Sequence, residues 1–375
     1  MPKLLFVLND AGYFLSHRLQ IAQAARAAGF DVHVATPESD KTKVIRAHGF
    51  AWHPLPMTRS GTRLFPEIAA FWRLIRLFHK IKPDLLHLVT IKPVLYGGIA
   101  ARLTRVPAVV AAVPGLGFVF SRQGFKASLI RFLVGLLYRM ALGHPNLRAI
   151  FQNTDNAQCI ARLAVLPAEK ICLIRGAGVD LADYAASPLP DGMPLVILPA
   201  RMLKDKGILE FVEAARRLRQ NGCEARFALV GEPDPGNPAS LTEANIDEWL
   251  AEGVVEYFGY RSDMPEVLKM SSLVVLPSYH EGMPRALMEA QACGRAVVTT
   301  DVPGCRDAIT PNVTGLLVPP RDAAALAEAI GALLDDRERL QAMGKAGRAL
   351  AEEAFDVREV VRQHLEIYRS LMERV

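Results

Sequence analysis

The feature that most constrains the fold is an alternation running the length of the chain, in which short β-rich apolar runs give way to stretches with helical spacing and then return. Residues 4–9, 31–36, 84–89 and 108–113 read as strands, with helices at 17–28 and 94–104 among them. The second half repeats the pattern, with strands at 195–199, 226–231, 254–257, 273–277 and 296–300. A helix between two strands carries the chain back to begin the next strand in the same direction. The alternation therefore predicts an α/β class with parallel sheets covered by helices. With 375 residues, 51% of them apolar, the chain has material for two such cores.

The run Ser187-Pro188-Leu189-Pro190-Asp191-Gly192 reads as the linker between them. This places one domain at 1–185, a second at 186–355 and a terminal helix within 356–375. Charge changes sign at the same point. Residues 1–185 hold 23 Lys and Arg against 10 Asp and Glu, and 186–375 hold 21 against 29, so the overall +5 conceals +13 and −8. Between 41 and 150 stand 17 basic residues and two acidic ones, Glu67 and Asp84. The stretch 64–82, with Arg73, Arg76 and Lys80, and the stretch 122–139, with Arg122 and Lys126, are expected to face anionic lipid headgroups. Each nearby cation contributes about 1 kcal/mol in such a setting. Nucleic acid is the poorer reading, because no recognised binding module accompanies the charge.

Residues 129–142, interrupted by Arg131 and Arg139, fall short of the roughly 20 apolar residues of a membrane span. The opening Met1-Pro2-Lys3 leads into an apolar run too short for a signal peptide. The expected location is the cytoplasm, peripheral on the inner face of the membrane. Cys159, Cys172, Cys223, Cys293 and Cys305 show no Cys-x-x-Cys pair and no matching histidine spacing, and read as free thiols.

Chemistry concentrates in the second half. Glu281 stands in a turn containing Gly282 and Pro284, and Glu289, eight residues on, lies in a helix that Gly294 can close. Eight helical residues rise about 12 Å, comparable to the span of a sugar diphosphonucleoside from hexose to ribose. Apolar neighbours at Leu287, Met288, Ala290 and Ala292 predict a mostly buried Glu289, which needs hydroxyls or cations to satisfy it. Upstream, Arg201 follows the strand at 195–199 and Lys206 precedes a helix beginning near Gly207. Two cations at the carboxyl end of a strand, beside a helix N-terminus, make a phosphate site. The sequence has no Asp-x-Asp pair to hold a nucleotide-bound divalent ion, so a metal-independent reaction is expected. A solvated loop acid remains the plain alternative for Glu281, and a structural carboxylate for Glu289.

Arg-x4-Lys-Gly followed by Glu-x7-Glu resembles the retaining glycosyltransferases of family 4. The resemblance covers nearly the whole chain and implies the GT-B fold: two Rossmann-like domains facing a central cleft, with the terminal helix crossing back to the N-terminal domain. Residues 10–18, 91–97, 115–117 and 231–238 are similar to bacterial enzymes that add a sugar, often N-acetylgalactosamine or N-acetylglucosamine, to undecaprenyl-diphosphate-linked saccharides.

The resemblance assigns roles. Glu289 binds the ribose of a UDP-sugar donor, and Glu281 approaches the transferred sugar with the amides of Gly282 and Met283 nearby; Pro284 has no N–H to offer. Arg201 and Lys206 neutralise the departing diphosphate. The turn at 255–263 contacts the nucleobase, with Arg261 as its candidate side chain, and Gly12 lets the donor diphosphate or acceptor approach the backbone. His17, read as beginning a helix, and Lys92, Gly115 and Gly117 fall on the polyprenyl-diphosphate-linked acceptor. The histidine that many relatives carry near Gly115 is absent here, so no acid or base is named in that loop. The implied reaction is a front-face displacement with retention, without a protein nucleophile and without a cofactor. A catalytically silent nucleotide-sugar-binding subunit and a sugar-nucleotide epimerase are the alternatives. A dehydrogenase is disfavoured because the first strand leads into Asn9-Asp10-Ala11-Gly12 and not Gly-x-Gly-x-x-Gly.

Overall fold

The computed structural model describes residues 1–58, 64–115 and 125–375, with the side chains of 64 and 125–132 left aside. The chain forms two compact units, Met1–Ala177 with Arg358–Val375, and Gly178–Val357.

The first unit holds β1 (Lys3–Val7), β2 (Asp31–Thr36), β3 (Ala51–Pro54), β4 (Leu85–Val89), β5 (Ala108–Val113), β6 (Leu147–Phe151) and β7 (Ile171–Leu173), in the order β3-β2-β1-β4-β5-β6-β7. The second holds β8 (Leu195–Pro199), β9 (Arg226–Val230), β10 (Glu256–Gly259), β11 (Leu273–Leu276), β12 (Ala296–Thr300) and β13 (Gly315–Val318), in the order β10-β9-β8-β11-β12-β13. All the pairings within both sheets are parallel. β4, β5, β8 and β12 are buried at every residue because helices cover both faces, and β5 and β8 accordingly read as continuous apolar runs. In each unit the strand order reverses once, between β1 and β4 and between β8 and β11. Open α/β sheets bind ligands at the carboxyl edge of that reversal.

The helix Val357–Met372 belongs to the first unit, where Val360, Tyr368 and Leu371 join the core formed by Leu4, Phe6 and Val110. The His87 ring nitrogen lies 2.5 Å from the Tyr368 hydroxyl, and Asn146 donates to the Leu371 carbonyl. The stretch at 187–192, read as linker, is part of the second unit. Arg295, fully buried, donates to the carbonyl and hydroxyl of Ser187 and to the Pro188 carbonyl, clamping that segment down. The units divide instead at Ala177/Gly178 and Val357/Arg358, where two chain segments run side by side. Val179 donates to Phe355 and accepts from Val357, and a Cβ on Gly178 (φ +75°) would sit 2.6 Å from the Val357 Cα.

Several elements differ from the sequence reading. The helix expected at 17–28 is two, Ala11–His17 and Leu19–Ala27, broken at Arg18. His17 thus closes a helix and does not begin one. Asp10 sets the start further upstream by accepting from the Tyr13 amide at 2.8 Å. The strand at 254–257 is shifted to Glu256–Gly259 with an irregular register. β3, β6, β7 and β13 are not legible in the sequence; β7 has three residues at one sheet edge, and β3, at the other, has no buried residue. Pro93–Gly97 forms a π turn before Gly98–Leu103, and a Cβ on Gly98 would meet the Ala141 carbonyl oxygen at 2.6 Å. Among the described residues no helix is long and apolar enough to cross a membrane.

Candidate functional site

In the second unit, the loops leaving β8, β9, β11 and β12 interlock at the carboxyl edge. After β8 the chain makes a short turn, Lys204–Lys206, then Gly207 in the left-handed region (φ +72°), then the helix Ile208–Gln220. Gly207 is required here, because a Cβ would stand 2.7 Å from the Pro277 carbonyl carbon and nearer still to its oxygen. The loop after β11 is tied across this turn: the Tyr279 amide and the Ser278 hydroxyl both donate to the Asp205 carbonyl, at 2.9 and 3.0 Å. The loop after β12 lies against it too, since a Cβ on Gly304 would stand 2.6 Å from the Glu281 carbonyl oxygen.

This weave brings Lys206 and Glu281, 75 residues apart in sequence, into an ion pair of 2.5 Å. Their side chains are 17% and 14% exposed, so the pair is sheltered yet reachable from solvent. His280 flanks both, and burial lowers its pKa while Glu281 opposes the shift and Lys206 adds to it. Arg201 leaves the end of β8 and pairs at 2.6 Å with Asp234, from the loop after β9, with its side chain 45% exposed. Gly282 and Met283 follow Glu281, and Met283 is buried.

Glu289 lies in the helix Arg285–Ala292, which ends as the sequence predicts: Gly294 takes φ +74°, its amide donates to Gln291 and that of Arg295 to Ala290. The carboxylate is buried as expected, and burial raises its pKa; Arg285, at 2.6 Å one turn earlier, and a hydrogen bond from Tyr184 pull it back down. Neither partner was singled out from sequence. The Arg285 signal was present as an i,i+4 spacing, whereas Tyr184 comes from a remote segment. Also missed was Tyr279, whose hydroxyl lies 2.5 Å from Glu210 and whose ring carries the Arg321 guanidinium. Arg261 turns onto its neighbour Asp263, at 2.5 and 2.7 Å.

The first unit places Gly12, His17, Lys92 and Gly115 on segments after β1, β4 and β5, at its own carboxyl edge. Gly12 packs under Lys41, whose ammonium would lie 3.1 Å from an added Cβ. His17 stacks on Tyr13, with ring centroids 4.0 Å apart. Lys92 is paired with Glu67 at 2.5 Å and donates to Thr58. It is carried on a strained segment: Thr90, β-branched, has φ +74° and is held by a hydrogen bond to Asn9. Arg73, Arg76 and Lys80 are exposed on the helix Leu64–Ile81. Gly117, Arg122 and the Lys126 side chain lie outside the described residues. Among the described residues, no three His, Cys, Asp or Glu side chains converge as a metal would need.

Both units match families of known proteins. The family model described as Glycosyl transferases group 1 matches residues 182–350, and that described as Glycosyl transferase 4-like matches 3–146. The chain is 32% identical, over 98% of its length and 99% of the relative's, to the N,N'-diacetylbacillosaminyl-diphospho-undecaprenol alpha-1,3-N-acetylgalactosaminyltransferase of Campylobacter jejuni. It is 28% identical, over 85% of its length and 83% of the relative's, to the Escherichia coli UDP-Gal:alpha-D-GlcNAc-diphosphoundecaprenol alpha-1,3-galactosyltransferase. A glycosyltransferase from Rickettsia africae superposes with a TM-score of 0.80 at 18% identity, covering 100% of this chain and 99% of that one. Anabaena HepE, solved in complex with UDP, does so at 0.77 and 20%, covering 99% and 100%. With both units matched and one relative aligned from end to end, the chain belongs to the group 1, 4-like family: it is a glycosyltransferase of two Rossmann-like units.

Proposed function

We propose that the enzyme moves a hexose or N-acetylhexosamine from a UDP-sugar onto a polyprenyl-diphosphate-linked saccharide in cell-surface or glycoprotein glycan assembly, with retention and without a metal. The observation that carries this is the Lys206–Glu281 pair at the β8/β11 reversal, beside the N-terminus of the helix Ile208–Gln220. A diphosphate there meets a helix N-terminus and the cations Lys206 and Arg201, which neutralise charge as the nucleotide departs. Glu281 exchanges its bond to Lys206 for sugar hydroxyls when the donor enters. Glu289 accepts the ribose hydroxyls. The departing phosphate oxygen takes the acceptor proton on the same face, so no protein nucleophile is used. The acceptor class is supported by the names of the two relatives, both of which act on diphospho-undecaprenol saccharides.

Peripheral attachment to the inner membrane face is supported by two exposed apolar stripes in the first unit. Phe65, Ile68 and Trp72 lie on one helix, and Leu133, Leu136 and Met140 on another, each at i, i+3 and i+7. Arg73, Arg76, Lys80 and Arg139 stand exposed among them.

The test is UDP release from a panel of UDP-sugars with a synthetic prenyl-diphosphate-linked saccharide, for wild type and Glu289→Ala, with and without EDTA. Acceptor-dependent release that survives EDTA and collapses in the variant is the expected result. Binding without turnover on any acceptor would favour a silent subunit.

A further inference from the structure

We propose that Glu67 is an internal occupant of the acceptor's phosphate subsite, holding Lys92 until the diphosphate of the prenyl-linked saccharide displaces it. The inference rests on the acceptor reading above and deepens it, by naming the residue that competes with the substrate for its cation.

Lys92 stands where the first sheet reverses its strand order. Thr90, just past β4, donates to the Asn9 side chain, just past β1, at 3.0 Å, and the Val94 amide donates to the Thr90 carbonyl at 3.0 Å. With Thr90 also held at φ +74°, the backbone leading to Lys92 is pinned, at the edge where open α/β sheets take ligands. A lysine ammonium so placed is a point charge for an anion. The anion it meets is the protein's own. Glu67 lies 2.5 Å from the ammonium and the Thr58 hydroxyl 3.2 Å, and the side chains of Lys92 and Glu67 are 15% and 14% exposed.

Two features make Glu67 the partner that yields. It stands in the first turn of the helix Leu64–Ile81, where backbone amides have no intrahelical acceptor to hold them. Its second carboxylate oxygen is buried with no hydrogen-bond partner among the described residues, so the closed pair is incompletely compensated. At 100° per residue, Glu67 stands about 130° around the helix from the middle of the exposed stripe Phe65, Ile68 and Trp72. The helix proposed to rest on lipid thus turns Glu67 inward, onto Lys92. A phosphate that reached the ammonium with Glu67 still on it would face a like charge across the same cation. Pairing and acceptor binding are therefore alternatives, and the pair lowers the apparent affinity by the fraction of molecules in which Lys92 is available.

The experiment measures KM and kcat for a short-chain prenyl-diphosphate-linked saccharide, and pyrophosphate binding by calorimetry to enzyme saturated with UDP. Wild type, Glu67→Gln, Lys92→Met and the double variant are compared, with thermal midpoints as the control for folding. Glu67→Gln keeps the size of the side chain and removes its charge. It should lower the acceptor KM and the pyrophosphate Kd by about tenfold, the worth of one hydrogen bond between charged groups, and leave the donor KM unchanged. Lys92→Met should raise both, and in that background Glu67→Gln should change neither. A merely structural ion pair predicts otherwise: weaker acceptor binding in Glu67→Gln, or a lower thermal midpoint at unchanged KM, overturns the inference. Tightening that persists without Lys92 overturns it too, since that would be the field of the removed charge and not a displaced partner. If Glu67→Gln binds phosphatidylserine vesicles more tightly at unchanged acceptor KM, the anion is a lipid headgroup and the inference fails. The acceptor reading fails separately, if neither wild type nor Glu67→Gln turns over a prenyl-diphosphate-linked saccharide; the pyrophosphate titration then reads the competition for Lys92 by itself.

Discussion

Gly207→Ala tests whether the interlocked loops hold the site together. The substitution has two costs. The first is conformational: at φ +72° an L-residue pays about 1–2 kcal/mol. The second is steric: the new Cβ would lie 2.7 Å from the carbonyl carbon and Cγ of Pro277 and nearer still to its carbonyl oxygen, where ordinary contact begins at 3.4 Å, so the loop must retreat by about 1 Å. Overpacking of this kind costs about 1–3 kcal/mol. Gly222 supplies the control, since it lies in the same unit at φ +80° with nothing within 4 Å of an added Cβ. Gly222→Ala should lose about 1–2 kcal/mol and Gly207→Ala about 2–5 kcal/mol, read as urea midpoints or as roughly 2–4 °C of melting temperature per kcal/mol. Activity should separate them further. Pro277 leads into Ser278 and Tyr279, both bonded to the Asp205 carbonyl, and then into Glu281. Its retreat draws Glu281 from Lys206, and displacements near 1 Å cost about 100-fold in rate. If Gly207→Ala matches Gly222→Ala within about 0.5 kcal/mol and keeps its kcat/KM, the loops are not coupled as described.

Three further outcomes are expected. Arg295→Met should destabilise the second unit by about 3–5 kcal/mol in urea titration, because carbonyls of Ser187, Pro188, Leu268 and Lys269 lose a buried donor; a loss under 1 kcal/mol would show that water replaces it. His87 and His364, buried against Arg18 and Tyr368, are held neutral, His364 down to about 3. Only the unfolded chain takes up their protons below pH 6.5, so stability is full above that pH and declines as pH falls toward about 3. The slope is up to about 1.4 kcal/mol per pH unit for each histidine, and His87→Gln with His364→Gln should flatten it in urea titrations at several pH values. Ile68→Ser with Trp72→Ser should cut co-sedimentation with phosphatidylserine vesicles about tenfold or more, independently of salt, whereas Arg73→Gln with Arg76→Gln should cut it by a salt-dependent amount; binding unaffected by either pair would remove the membrane face.

Much of the site was legible because its signals are local. Glu289 reads as buried from its four apolar neighbours, and Gly294 as a helix stop from its place after them. Lys206-Gly207 reads as a strand-to-helix turn because only glycine tolerates that backbone. What escaped was pairing. Lys92 reads as a cation open to an acceptor diphosphate, yet Glu67, one of two acids in a basic stretch, is folded onto it. The stretch 187–192 has linker composition, yet its carbonyls are the ligands of a buried arginine. Short edge strands such as β7 and β3 bury too little to leave a periodic signal.

The alternation of apolar runs and helical periods, by itself, determined an α/β chain with two parallel sheets, and two motifs placed cations and carboxylates at strand ends. Those are properties of neighbours along the chain, where backbone geometry and side-chain period act directly. Only the tertiary structure decided which strand lies beside which. From that followed the reversals at β1/β4 and β8/β11, the meeting of Lys206 with Glu281, and the true division at Ala177/Gly178. Strand order is set by burying apolar faces across long chain separations, and no local period encodes it.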